Sequence, residues 1–155
     1  MLWGPHFDEM AAATFTAMLR KRGLRVYLVG INGTTATGQH GLIIGADRTL
    51  GQVISLAAHS SCIVVPCETP SLWQAENDPR FFAFVAEAAN HRARIVLSDY
   101  RALAQSRLVQ IGMSADRLTY YSTCHNLRDF VDDLATVLLS DIAVERGVPI
   151  INRGQ

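Results

Sequence analysis

Two stretches decide the fold: Cys62-Ile63-Val64-Val65-Pro66 and its later counterpart Arg94-Ile95-Val96-Leu97-Ser98-Asp99. Each is a short continuous apolar run, not an alternating one. That pattern suits a strand covered on both faces, as parallel sheets require. Between them lies Asn77-Asp78-Pro79, where Asp78 can cap orphan amides and Pro79 can take a first helical turn. Phe81, Phe82, Val85, Ala88 and Ala89 then supply a broad helical face. Strand, helix and strand in this order predict a right-handed parallel crossover.

Working outward toward the amino end, Asp8 and Glu9 precede an apolar-periodic run with Met10, Ala13, Phe15, Met18 and Leu19. Arg20-Lys21-Arg22 and Gly23 follow, so acid comes first, base last and glycine after the end, the order a helix favours. Leu24 to Val29 reads as a strand bounded by Gly30 and Asn32-Gly33. Gly41 to Ala46 reads as a short strand closed by Asp47, and Thr49 to Ala58 as a short helix weakened by Gly51. Pro66 to Asp78 reads as a loop.

Toward the carboxyl end, Ser98-Asp99 leads into a helix over Tyr100 to Ser106. Asn126 to Leu134 is helical by the same reading. Val137 to Val144 and Val148 to Ile151 are expected to pair across Glu145-Arg146-Gly147, leaving no final helix to cover that side of the sheet. One α/β domain over residues 1–155 is the expectation.

Composition narrows the partners. Of the 155 residues 49% are apolar and 18% charged, and Lys plus Arg balance Asp plus Glu at 14 each. A neutral chain lacks the field that phosphate backbones need, which argues against nucleic acid, and neutrality favours self-association. The amino terminus lacks the basic and apolar regions of a signal peptide, and no apolar run is long enough to span a membrane, so a cytoplasmic protein is expected. Cys62, Cys67 and Cys124 lack zinc-ribbon spacing and are odd in number, which argues against a disulfide framework. The five histidines form no ligand-spaced pair, so no metal is expected. Gly30, Gly33, Gly38, Gly41 and Gly45 match neither a dinucleotide fingerprint nor a phosphate loop, so no cofactor is expected.

In an open α/β sheet, ligands bind beyond the carboxyl ends of the strands. Three loops qualify: Gly30 to His40, Pro66 to Asp78, and Ser98 to Tyr100. Ser98 sits where a buried strand turns into a helix; it is a helix cap or, with a base in reach, a nucleophile. The base candidates are Glu9, Asp99 and His125. Cys67 and Glu68 follow the third strand directly, and a thiol there is either packed or reactive.

The order of these segments resembles the ThiJ/PfpI family of the class I glutamine-amidotransferase-like superfamily. Glu9 in Phe7-Asp8-Glu9-Met10 resembles that family's acid at the start of the first helix. Met18 to Val26 resembles its passage into the second strand, and Ile63-Val64-Val65-Pro66 the strand that runs into a Gly-Gly turn. Ile95-Val96-Leu97-Ser98 resembles the strand ending in a cysteine elbow, and Val144 to Gly154 the late hairpin. The resemblance implies a three-layer sandwich on a mostly parallel, flavodoxin-like sheet. It also implies that Glu9 faces Ser98. With His125 kept as a base candidate from its own sequence setting, the expected site is Glu9, Ser98 and His125, with Cys67, Glu68, Asp99 and Tyr100 lining a pocket.

The departures set what can be inherited. Ser98 stands where the family has cysteine, Asp99 where some members have histidine, and Cys67-Glu68 replaces the Gly-Gly turn. Two carboxylates oppose an alkoxide, and side chains restrict the approach of amides to an oxyanion. Met1 to His6 reads as too short for a first strand plus loop, and the missing closing helix would bare apolar surface that a dimer could cover. The expected protein is a non-catalytic, small-molecule-binding or structural dimer. The alternatives are a serine-based hydrolase or lyase acting on a small carbonyl, amide or ester, and a thiol redox sensor.

Overall fold

A computed structural model describes residues 2–3, 6–104, 106–112, 114–122 and 124–145. The chain opens with β1 (Leu2–Trp3) and passes through Phe7 into α1 (Glu9–Lys21). Asp8 caps α1 by accepting the Ala11 amide at 2.9 Å, and Gly23, at φ 83°, terminates it in the left-handed region that favours glycine. Next come β2 (Val29–Gly30), the hairpin β3 (Thr35–Thr37) and β4 (Ile43–Gly45), then β5 (Arg48–Thr49) and α2 (Leu50–Val53) with a 3-10 turn over Ile54–His59. The second half runs β6 (Cys62–Val65), α3 (Thr69–Ala75), α4 (Pro79–Asn90), β7 (Arg94–Leu97), α5 (Arg101–Ala104), β8 (Leu118–Tyr120) and α6 (Leu127–Glu145).

All ladders outside the β3–β4 hairpin are parallel. β1 pairs with β2 (Leu2↔Val29) and β2 with β5, while β6 pairs with β7 (Ile63↔Ile95) and β7 with β8. β1 lies alongside β6, so the strands run β5-β2-β1-β6-β7-β8 and reverse their order between β1 and β6. That is a topological switch point.

The expected two-faced burial of β6 and β7 is what the packing displays. Val64 and Val96 face α1 and α6 with Phe15, Val131 and Leu134, whereas Ile63, Val65, Ile95 and Leu97 face α2 to α5 with Phe81 and Val85. The result is a three-layer, flavodoxin-like α/β sandwich. Each such aliphatic side chain contributes about 1.5–3 kcal/mol of burial. α6 is tied down by Arg94 to Asp141 at 3.0 Å and by Arg22 to Thr136 at 2.9 Å.

Several expectations change. Val137 to Val144 is helical, so the helix expected over Asn126 to Leu134 runs on to Glu145 as α6 and covers that side of the sheet, and Val148 to Ile151 lies outside the described residues. The apolar residues there, Val137, Leu138, Leu139, Ile142 and Val144, suit a helix packed on α1 as readily as a strand. The short amino end does provide a first strand. Pro66 to Asp78 holds a helix, α3, with Pro70 in its first turn. Leu24 to Leu28 lies outside any ladder, and β4 joins the hairpin with β3. Met10 and Ala13 point outward; Ala11, Ala12, Phe15 and Leu19 form the buried stripe of α1.

Phe15 is fully buried and meets the rings of Tyr121 and Phe130 edge-on at 5.6 and 6.1 Å. Phe15→Ala is expected to lower unfolding stability by about 3–5 kcal/mol in urea titration. A loss under about 1 kcal/mol would mean that α1 and α6 repack without it.

Candidate functional site

The candidate site at the switch point is made of the residues just past each strand: Phe7 to Glu9 after β1, Pro66 to Glu68 after β6, Ser98 to Tyr100 after β7, and Tyr121 after β8. Phe7 joins its parts. It is fully buried and bridges both Gly38 in the hairpin loop and Cys67, while the Asp8 amide donates to the Pro66 carbonyl at 2.7 Å.

Ser98 is half-buried, and its Oγ donates to the Cys67 carbonyl at 2.6 Å. A nucleophile elbow holds its serine or cysteine in a strained turn. Among the described residues only His6 and Arg92 are non-glycines with positive φ, so the Ser98 backbone is not of that kind. The Cys67 amide is turned away as well, donating to the Val65 carbonyl at 2.9 Å in a tight turn. The cap of α5 is Asp99, whose Oδ1 accepts the Arg101 amide at 2.9 Å, so the cap reading of Ser98 passes to its neighbour. Tyr100 is exposed, with the Arg101 guanidinium over its ring at 5.8 Å.

Glu9 stands at the first turn of α1 and reaches over the hairpin loop. Its Oε1 accepts the amides of His40 at 2.8 Å and Leu42 at 3.2 Å, and its Oε2 accepts Nδ1 of His40 at 2.6 Å. Gly38 makes the approach possible, because a Cβ there would come within 2.3 Å of Oε1. The His40 hydrogen bond holds the Glu9 carboxyl below its ordinary 4.5 and raises the His40 imidazole above its ordinary 6.5. His125 is exposed just before α6, and among the described residues no hydrogen bond joins it, Glu9 or Asp99 to Ser98.

Two of the three thiols are quiet. Burial, reinforced by the Glu68 and Glu76 carboxylates, pushes Cys67 up to about 12, and burial does the same for Cys62. A thiol so raised is protonated at neutral pH and a poor nucleophile. Glu68 itself points to solvent. Tyr121 is 8% exposed and its hydroxyl has no hydrogen-bond partner among the described residues. Burial raises its pKa, and the nearby carboxylate of Asp8 adds to the shift. Asp8 lies close without reaching hydrogen-bond geometry. Among the described residues no group of three or more His, Cys, Asp or Glu side chains is placed to hold a metal ion. No described helix is long and apolar enough to cross a membrane.

Sequence reasoning did not single out His40, Gly38 or Tyr121. The signal for the first two was the glycine spacing around His40, which marks a loop able to approach another group closely. Tyr121 sits in a polar-aromatic cluster whose inward-facing member cannot be told from composition.

The three-layer α/β sandwich is similar in fold to solved proteins of the DJ-1 and ThiJ/PfpI kind. The cysteine-to-alanine mutant of a DJ-1 superfamily protein from Salmonella typhimurium matches with a TM-score of 0.70 at 16% identity, covering 96% of this chain and 97% of that one. Drosophila melanogaster DJ-1beta matches at 0.68 and 15% identity over 96% of each chain. A ThiJ/PfpI family protein from Pseudomonas syringae matches at 0.63 and 14% identity, covering 99% of this chain and 77% of that one. No protein-family model matches the chain, and no curated protein matches it in sequence.

The Glu9–His40 latch carries a pH signature. Glu9, with its folded pKa lowered, adds stability above pH 4.5 that is lost as pH falls through its folded value. His40, with its folded pKa raised, adds stability below pH 6.5 that is lost as pH rises through its folded value. The latch is therefore tightest between those limits. In an NMR titration Glu9→Gln is expected to return the His40 midpoint toward 6.5; an unchanged midpoint would count against the latch.

Proposed function

We propose that this chain is a divergent ThiJ/PfpI-like protein that binds a small polar molecule in the switch-point crevice, as a dimer, without nucleophilic turnover. The observation that carries this reading is the engagement of both expected partners elsewhere. The Ser98 proton goes to the Cys67 carbonyl, and the Glu9 carboxylate holds the hairpin loop. Acyl or carbonyl chemistry needs a nucleophile facing a base and amides facing an oxyanion. Here the Cys67 amide bonds to Val65 and the Glu9 anion bonds to His40. Cys67 lends no support to a thiol-sensor role either, being buried and raised to about 12.

Binding is supported by the Tyr121 hydroxyl, a buried polar group of the kind a ligand satisfies. Dimerisation is supported by the exposed apolar side chains of Met10, Leu42 and Ile43, which the Glu9–Leu42 bond gathers on one side of the molecule.

Ser98→Ala is expected to keep the fold, costing about 1 kcal/mol for the unsatisfied Cys67 carbonyl. It should remove no turnover of small esters, amides or ketoaldehydes. A reproducible activity abolished by this substitution in a folded variant would overturn the reading. Light scattering is expected to give a dimer, and Ile43→Lys a folded monomer. A wild-type chain that stays monomeric at high micromolar concentration would remove the dimer from the proposal.

A further inference from the structure

The candidate site gathers carboxylates. The Asp8 amide donates to the Pro66 carbonyl at 2.7 Å, Ser98 Oγ to the Cys67 carbonyl at 2.6 Å, and the Ser122 amide to the Ser98 carbonyl at 2.8 Å. These bonds draw the ends of β1, β6, β7 and β8 together and carry Asp8, Glu68 and Asp99 with them, one acid past each of the first three. Among the described residues no ion pair joins any of the three to a cation. Asp8 feels the charge of His40, and Asp99 that of Arg101, but both cations are already placed. His40 is held by Glu9, and the Arg101 guanidinium lies over the Tyr100 ring.

Tyr121 points into this group. Its side chain is more than nine-tenths buried, its hydroxyl has no hydrogen-bond partner among the described residues, and the charges of Asp8 and Glu68 act on it. Burial and those charges keep the phenol protonated, so its oxygen still offers lone pairs to an incoming donor. A ligand carboxylate would add one more negative charge to the acids already there. A bare divalent ion needs several ligands converging on one point, and among the described residues no three acidic, histidine or cysteine side chains converge in that way. Acids spread over separate strand ends suit an ion with several N–H donors aimed in different directions.

We propose, resting on the reading that this site binds a small polar molecule, that its ligand is a small organic ammonium ion. Its N–H groups donate to the Tyr121 hydroxyl and to Asp8, and Glu68 and Asp99 supply the negative charge around them.

The test titrates butylamine into the full chain at neutral pH and constant ionic strength, reading amide shifts by NMR, with butyrate and magnesium as comparisons. Butylamine is expected to bind saturably at submillimolar Kd, shifting the amides of Asp8, Glu68, Asp99 and Tyr121, and butyrate about tenfold or more weakly. Asp8→Asn keeps a good cap for α1 while removing the charge, and should weaken butylamine about tenfold. Tyr121→Phe keeps the edge-on contact with Phe15 and removes the hydroxyl, with a loss of about fivefold and the fold intact. Butyrate bound as tightly as butylamine at the same amides would overturn the ammonium assignment and leave the binding reading standing. Butylamine binding that both variants leave unchanged, or shifts that magnesium reproduces at equal concentration, would overturn it in favour of diffuse charge attraction. If neither butylamine nor butyrate moves these amides, the binding reading falls and takes the assignment with it.

Discussion

The β6–β7 ladder is the constraint that organises the molecule. Its register sets Ile63 against Ile95 and Val65 against Leu97, and both strands are buried on both faces. A slip of one residue would turn Val64 and Val96 into the larger core and drive Ile63 and Val65 toward α1 and α6. Packing excludes that. The same register sets Pro66 level with Ser98, and the tight turn after Val65 brings the Cys67 carbonyl within reach of Ser98 Oγ. The hydrogen bond between them is a consequence of the sheet and not a late adjustment of a loop.

A similar logic governs Glu9. Capping by Asp8 fixes where α1 begins, and that start directs Glu9 toward the hairpin loop and its amides. Three donors from one loop satisfy the carboxylate and keep it ionised, whereas an acid that supports a nucleophile must share a proton with it. The ThiJ/PfpI-like fold is present, but Ser98 and Glu9 have hydrogen-bond partners that stabilise the scaffold.

The sheet was readable because its signals are local and redundant. Cys62-Ile63-Val64-Val65 and Arg94-Ile95-Val96-Leu97 are too short for helices and too apolar for an edge, and Asp78-Pro79 marks the helix between them. The far end of the chain misled for a physical reason. Val137 to Val144 contains β-branched and apolar residues that fit either period, and only the packing of Leu134 and Leu138 on α1 decides for the helix. The site was harder still. Ser98 and Glu9 could be located from strand ends and helix starts, but their partners are contacts between residues 31 apart in each case. No periodicity encodes such contacts, and the partner of Ser98 is a backbone carbonyl that carries no sequence signature at all.

The clearance at Gly38 makes the two positions unequal. A side chain at position 38 would meet the Glu9 carboxyl and push it off the loop amides. Shortening or neutralising Glu9 meets no such obstacle, because nothing then presses on Gly38. The glycine therefore acts as a permit for the acid: the loop can keep it without Glu9, but Glu9 holds the loop only while it stays.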